Sequence, residues 1–191
     1  MQDLQKKQEK KEEIVDFFKT IIIAAAVMLF IRVFIVQPFV VKGSSMEPNF
    51  YEKDYLMVDE VSYRFHSPNR GDIIVFKYQD GNKSEYLIKR IIGLPGETVV
   101  IKDGKVYIKN SSGQLLLSEP YLPLGRETKG EITEEIKAND YFVLGDNREV
   151  SLDSRYFGQI SKDKIVGKVL LRGFPFNKFG LIEMGKPELK K

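Results

Sequence analysis

The sequence predicts a mainly β protein: an antiparallel β-sheet domain with a small inserted β subdomain, preceded by one N-terminal transmembrane helix. Three observations predict it. A single long apolar run, Phe17 to Val36, lies near the N-terminus. After it come short β-branched and aromatic runs bounded by turn residues. Between two of those runs stands Asp103-Gly104, a strong hairpin signal.

Composition narrows the function classes. The 191 residues suffice for one anchor segment and a domain with its own core. Hydrophobic residues are 42% and charged residues 30%, which is ordinary for a globular chain. A net charge of +3, with no aromatic-and-basic signature beside it, gives no reason to expect nucleic acid. Cysteine is absent, which excludes a thiol nucleophile, a disulfide framework and the usual zinc-cysteine sites. The single histidine, His66, lies in a polar Ser-Pro-Asn loop, so neither a His-centred metal site nor a Ser-His-Asp triad is expected. No glycine-rich phosphate loop or ligand cluster appears, so no cofactor and no metal are expected.

Residues 1–16 mix Lys6, Lys7, Lys10 and Lys11 with Asp3, Glu9, Glu12, Glu13 and Asp16, and read as a solvated helix or a disordered arm. Residues 17–36 follow. About twenty helical residues cross a bilayer core of about 30 Å, and Lys19 and Arg32 lie towards the ends, where long side chains snorkel. A buried core helix is one rival reading, but the run has no polar face. A cleavable secretory signal is another, with Ala24-Ala25-Ala26 as small residues, but the run continues well past them. A retained single-pass anchor fits best. Lysine and arginine crowd before the span, which puts the N-terminus in the cytoplasm and residues 37–191 outside the cell membrane.

Pro38 ends the helix by disfavouring helical geometry at Gln37. Phe39 to Lys42 reads as a short strand. Further strands are expected at Tyr55–Val58, Asp72–Tyr78, Ser84–Ile92, Thr98–Ile101, Lys105–Lys109, Tyr141–Leu144 and Ile165–Leu171. Asp80-Gly81-Asn82 and Leu94-Pro95-Gly96 are turns. Residues 110–138 are more polar, with prolines at 120 and 123, and the insertion is placed at about 102–138. The tail from Phe174 reads as irregular.

Three stretches can carry chemistry. In Val41-Lys42-Gly43-Ser44-Ser45-Met46-Glu47-Pro48 a serine is either a nucleophile or a turn residue. In Tyr86-Leu87-Ile88-Lys89-Arg90-Ile91-Ile92, Lys89 and Arg90 point to opposite faces of a strand, so one reaches solvent while the other lies inward. An inward Lys89 loses hydration, its pKa falls, and its neutral amine can take a proton from a serine hydroxyl. Otherwise both are surface charges whose stems cover apolar neighbours. In Gly145 to Arg155, Asp153 and Arg155 share a face in an extended segment and can pair, and Ser151 joins that face within reach of a lysine amine. As structure alone this is a loop held by an ion pair.

Taken together, these stretches resemble the bacterial type I signal peptidases (leader peptidases), most closely the single-anchor Gram-positive kind. The matching segments are the anchor, Gly43-Ser44-Ser45-Met46-Glu47-Pro48, Gly71-Asp72-Ile73-Ile74-Val75-Phe76, Lys89 through Gly96, and Gly145 through Arg155. They span nearly the whole chain in the family's order. The resemblance implies a coiled sheet or partial barrel, with Ser45 as nucleophile and Lys89 as general base. It also implies Ser151 orienting the lysine, supported by Asp153 and Arg155. The oxyanion would rest on the backbone N–H of Ser45 with help from Ser44, because Gly43 stands where some members carry a serine. Asn49-Phe50 replaces the usual Thr-Leu. Phe39, Val41, Met46, Leu87 and Ile88 are expected to wall shallow substrate pockets. The implied substrates are secreted preproteins with signal peptides, the lipid bilayer is a partner, and the secretion machinery is a candidate partner. Two rivals remain: a self-cleaving Ser/Lys peptidase of the repressor type, and an anchored non-catalytic β module that binds extended peptides.

Overall fold

The computed structural model describes residues 14–28, 36–182, 185 and 187–190. Helix α1 covers 14–28 and presents its apolar side chains outward; Phe17, Ile22 and Met28 are all exposed. Among the described residues no helix is long and apolar enough to cross a membrane. Part of the expected span, 29–35, lies outside the described residues, as does most of the charged arm.

The rest of the chain is antiparallel β. Strands β1 (Val36–Val40), β2 (Tyr55–Asp59), β3 (Ile73–Asp80) and β4 (Lys83–Gly93) are followed by β5 (Thr98–Lys102), β6 (Lys105–Asn110), β7 (Gly113–Ser118) and β8 (Ile132–Glu135). Then come β9 (Asp140–Leu144), β10 (Ile160–Ser161), β11 (Ile165–Phe174), β12 (Gly180–Leu181) and β13 (Glu188–Lys190). Two one-turn helices, α2 (Ser62–Phe65) and α3 (Ser154–Phe157), interrupt them. An eight-stranded sheet runs β1-β2-β11-β3-β4-β9-β10, with β12 on β11. A five-stranded sheet runs β13-β7-β6-β5-β8.

Local sequence explains the hairpins. Asp103 and Gly104 both take positive φ, 50° and 72°, as the tight turn between β5 and β6 requires. Three apolar clusters hold the sheets. Val41, Met46, Phe50, Leu56, Val58 and Val75 fill one, and Ile74, Phe76, Ile91 and Val143 fill another. The third joins the two sheets, packing Ile92, Phe142 and Leu144 against Val99, Ile101, Val106 and Ile108.

The structure departs from the sequence reading in two places. Val36 already belongs to β1, so strand pairing with β2 begins before Pro38 instead of at Phe39. Pro38 lacks an N–H, and an edge strand such as β1 tolerates it. The tail is not irregular throughout, because β13 pairs with β7 and closes the edge of the second sheet.

Candidate active site

Residues 41–54 form a loop tied at its neck, where Val41 N–H donates to Asp54 O and Lys53 N–H to Val41 O, both at 2.9 Å. Met46 and Phe50, both fully buried, plug it into the core. Phe50 N–H donates to Met46 O at 2.9 Å and turns the chain between those plugs. Because Met46 points inward, its neighbour Ser45 is turned out, half-buried, towards an open groove. The Ser45 N–H meets no acceptor among the described residues. Ser44 is exposed beside it, and its carbonyl accepts from Asn147 Nδ2 at 3.2 Å.

Lys89 enters the same groove from β4. Its Nζ donates to Ser45 Oγ and to Ile88 O, each at 3.0 Å. The side chain is only 2% exposed. Burial brings its pKa down to about 8, against the opposing pull of Asp153, Asp146 and Glu85. Alternation along β4 sends Arg90 to the opposite face, as expected, yet Arg90 does not reach solvent and is also buried. Its charge is met by Asp146, which accepts from Nε at 2.8 Å and Nη2 at 2.7 Å. A buried guanidinium persists where a carboxylate takes two of its donors.

The segment 145–155 closes the site. Asp153 is fully buried and accepts from Arg155 Nε at 2.8 Å, Arg155 Nη2 at 2.9 Å and Gly145 N–H at 3.0 Å. Ser151 Oγ is buried and makes no hydrogen bond among the described residues. It packs against Gly145, where an added Cβ would collide with Ser151 and lie 2.5 Å from Ser45 O. Ser151 thus stands beside the Ser45 backbone.

A groove of about 490 Å³ adjoins Ser45 and Lys89, and Phe39, Val41, Leu87 and Ile88 line it. Met46 does not; it belongs to the core beneath. A cavity of about 530 Å³ near Tyr63 and Lys162 contains none of the candidate residues. Among the described residues no cluster of three or more metal-ligating side chains occurs.

The sequence matches the family model described as "Signal peptidase, peptidase S26" over residues 14–174. The chain belongs to that family. A signal peptidase I of Leptolyngbya laminosa is 37% identical, covering 88% of this chain and 83% of its own. Signal peptidase IB of Staphylococcus aureus (strain COL) is 36% identical, covering 88% and 94%. A solved signal peptidase I from Enterococcus faecalis V583 is 34% identical with a TM-score of 0.44, covering 54% of this chain and 97% of that one. As a member of the signal peptidase family, the protein is a serine-type peptidase, a hydrolase.

The candidate site also includes residues to which the sequence assigned no role. Asn147 N–H donates to Ser45 O at 2.9 Å, so one residue grips the carbonyls of both Ser44 and Ser45. Asn49 Nδ2 donates to Asp146 Oδ2 at 2.7 Å and to Tyr121 O at 2.9 Å, joining the 41–54 loop to the 145–155 segment and to the loop after β7. Arg148 is buried against Glu119 and Thr128 and donates to Gly145 O at 3.1 Å. The density of polar residues at 145–155 was the available signal, but pairings across such separations are invisible in one sequence.

Proposed function

We propose that the protein is a membrane-anchored endopeptidase that removes signal peptides from secreted preproteins through a Ser45–Lys89 dyad. Support comes chiefly from one contact, the 3.0 Å approach of a buried, pKa-depressed Lys89 amine to Ser45 Oγ. Neutral Lys89 takes the Ser45 proton as Oγ attacks the scissile carbonyl. The N–H of Ser45, which meets no acceptor among the described residues, receives the developing oxyanion, with Ser44 beside it. The protonated lysine then gives its proton to the leaving amine. Neutral Lys89 next takes a proton from water as its oxygen attacks the acyl carbon, and returns it to Ser45 Oγ as the acyl–oxygen bond breaks. Asp153, tied to Arg155 and to the Gly145 N–H, and Ser151, packed on Gly145, support the backbone beside Ser45.

The substrate strand has a physical seat. Among the described residues, 83–89 of β4 pair with β3 on one side only, since pairing with β9 begins at Arg90. An extended peptide can add to that edge, with Phe39, Val41, Leu87 and Ile88 walling pockets for small side chains. Ile88→Ala should admit larger residues before the cut, and unchanged specificity in a peptide series would remove Ile88 from the pocket.

Membrane anchoring is supported by the apolar run 17–36 and by the outward apolar face of α1. At the far end of β1, where Val40 pairs with Tyr55, exposed Tyr55, Phe174 and Phe176 stack edge to face at 5.8 and 5.4 Å, an aromatic surface of the kind found in the headgroup zone. The proposal is tested by preprotein cleavage in detergent or lipid with wild type, Ser45→Ala and Lys89→Ala. Both variants should lose at least about 10³-fold in rate. Normal cleavage by Lys89→Ala would place the base elsewhere. If the wild type binds signal peptides without cutting them, the chain is a binding module.

A further inference from the structure

The groove beside Ser45 is polarised along its length. Lys42 and Lys89 are at its catalytic end, and Glu85 lines it further along β4. Glu85, Leu87 and Lys89 alternate with Ser84, Tyr86 and Ile88, so the carboxylate is on the same face of β4 as Lys89, four residues away. It is exposed, and none of the ion pairs among the described residues engages it. Its cross-strand neighbour is Tyr78, an aromatic ring held against Phe157 at 5.0 Å and no counter-charge. Its negative field nevertheless extends down the groove, since it favours the protonated form of Lys89.

An extended peptide added to the free edge of β4 rises about 3.3 Å per residue, as β4 itself does. A substrate side chain level with Glu85 is therefore about four residues from the one level with Lys89. Leu87 and Ile88 lie between those points on β4, and the pocket reading above gives them to residues before the cut. We propose that Glu85 is a specificity-determining residue that selects a cationic side chain about four residues before the scissile bond. The inference rests on the dyad reading above and adds a chemical preference to it.

The test uses the full chain in detergent and peptides that are identical except for Lys, Gln or Glu scanned through about the third to sixth residue before the cut. Each enzyme is scored by its own ratio of kcat/KM values. Wild type should prefer Lys over Glu at one of those positions by roughly two- to five-fold at low ionic strength, less in high salt. Glu85→Gln should flatten that ratio and Glu85→Lys should invert it. Equal cleavage of all peptides by the wild type, or a Lys preference that survives in Glu85→Gln, overturns the proposal. Cleavage that persists in Ser45→Ala instead overturns the dyad reading, and the proposal with it.

Discussion

A lysine amine removed from water beside a serine hydroxyl is a deliberate expense of stability. In the folded chain the Lys89 pKa falls from 10.5 to about 8. Between those values the unfolded chain binds more protons than the folded one, so this group makes stability rise with pH across that window. Below it, protonated Lys89 is held at a penalty. Lys89→Met should therefore raise the midpoint of thermal unfolding at neutral pH by a few degrees while abolishing cleavage. The gain in stability from Lys89 between pH 8 and 10.5 should vanish in the variant. Thermal unfolding of both proteins across pH measures this directly, and a less stable Lys89→Met would mean that its bonds to Ser45 and Ile88 outweigh desolvation.

Two loops make the site, and each is held by bonds that reach far along the chain. Gly145 has no room for a side chain, because a Cβ there would lie 2.5 Å from Ser45 O. Gly145→Ala should fold yet lose about 10²-fold in kcat, since a nucleophile displaced by about 1 Å loses its attack geometry. Asn49→Ala leaves Asp146 with Arg90 alone and the Tyr121 carbonyl unpaired, at about 1–3 kcal/mol of stability measured by denaturant unfolding. Strands of this kind were legible in the sequence: β2 through β6, β9 and β11 match β-branched runs bounded by turns. The Asp153–Arg155 pairing was legible from the two-residue spacing, although it closes at the start of α3 and not along an extended segment, and strand alternation left the inward Lys89 as one of two readings. The burial of Arg90 was not, because its counter-ion is on another strand's exit, 56 residues away. Nor was β13, whose short polar run gains its pairing only because β7 exposes an edge.

As a whole, the molecule sets an open-edged groove on a sheet whose first strand follows directly from the proposed anchor. Anchoring raises the effective concentration of enzyme at a bond whose own signal segment lies in the bilayer. Deleting residues 1–35 should cut the rate on membrane-inserted preprotein by about 10²-fold or more and leave a short soluble peptide nearly unaffected, as compared in the same assay. The joined core of the two sheets lets the 119–128 loop brace the 145–155 segment through Arg148. Activation of Ser45 by neutral Lys89 is read out by the pH dependence of kcat for preprotein cleavage. The rate should rise with pH through an apparent pKa near 8 and then level, with no such limb in Lys89→Ala. A rate already level below that pKa, or a rising limb retained by Lys89→Ala, would contradict it.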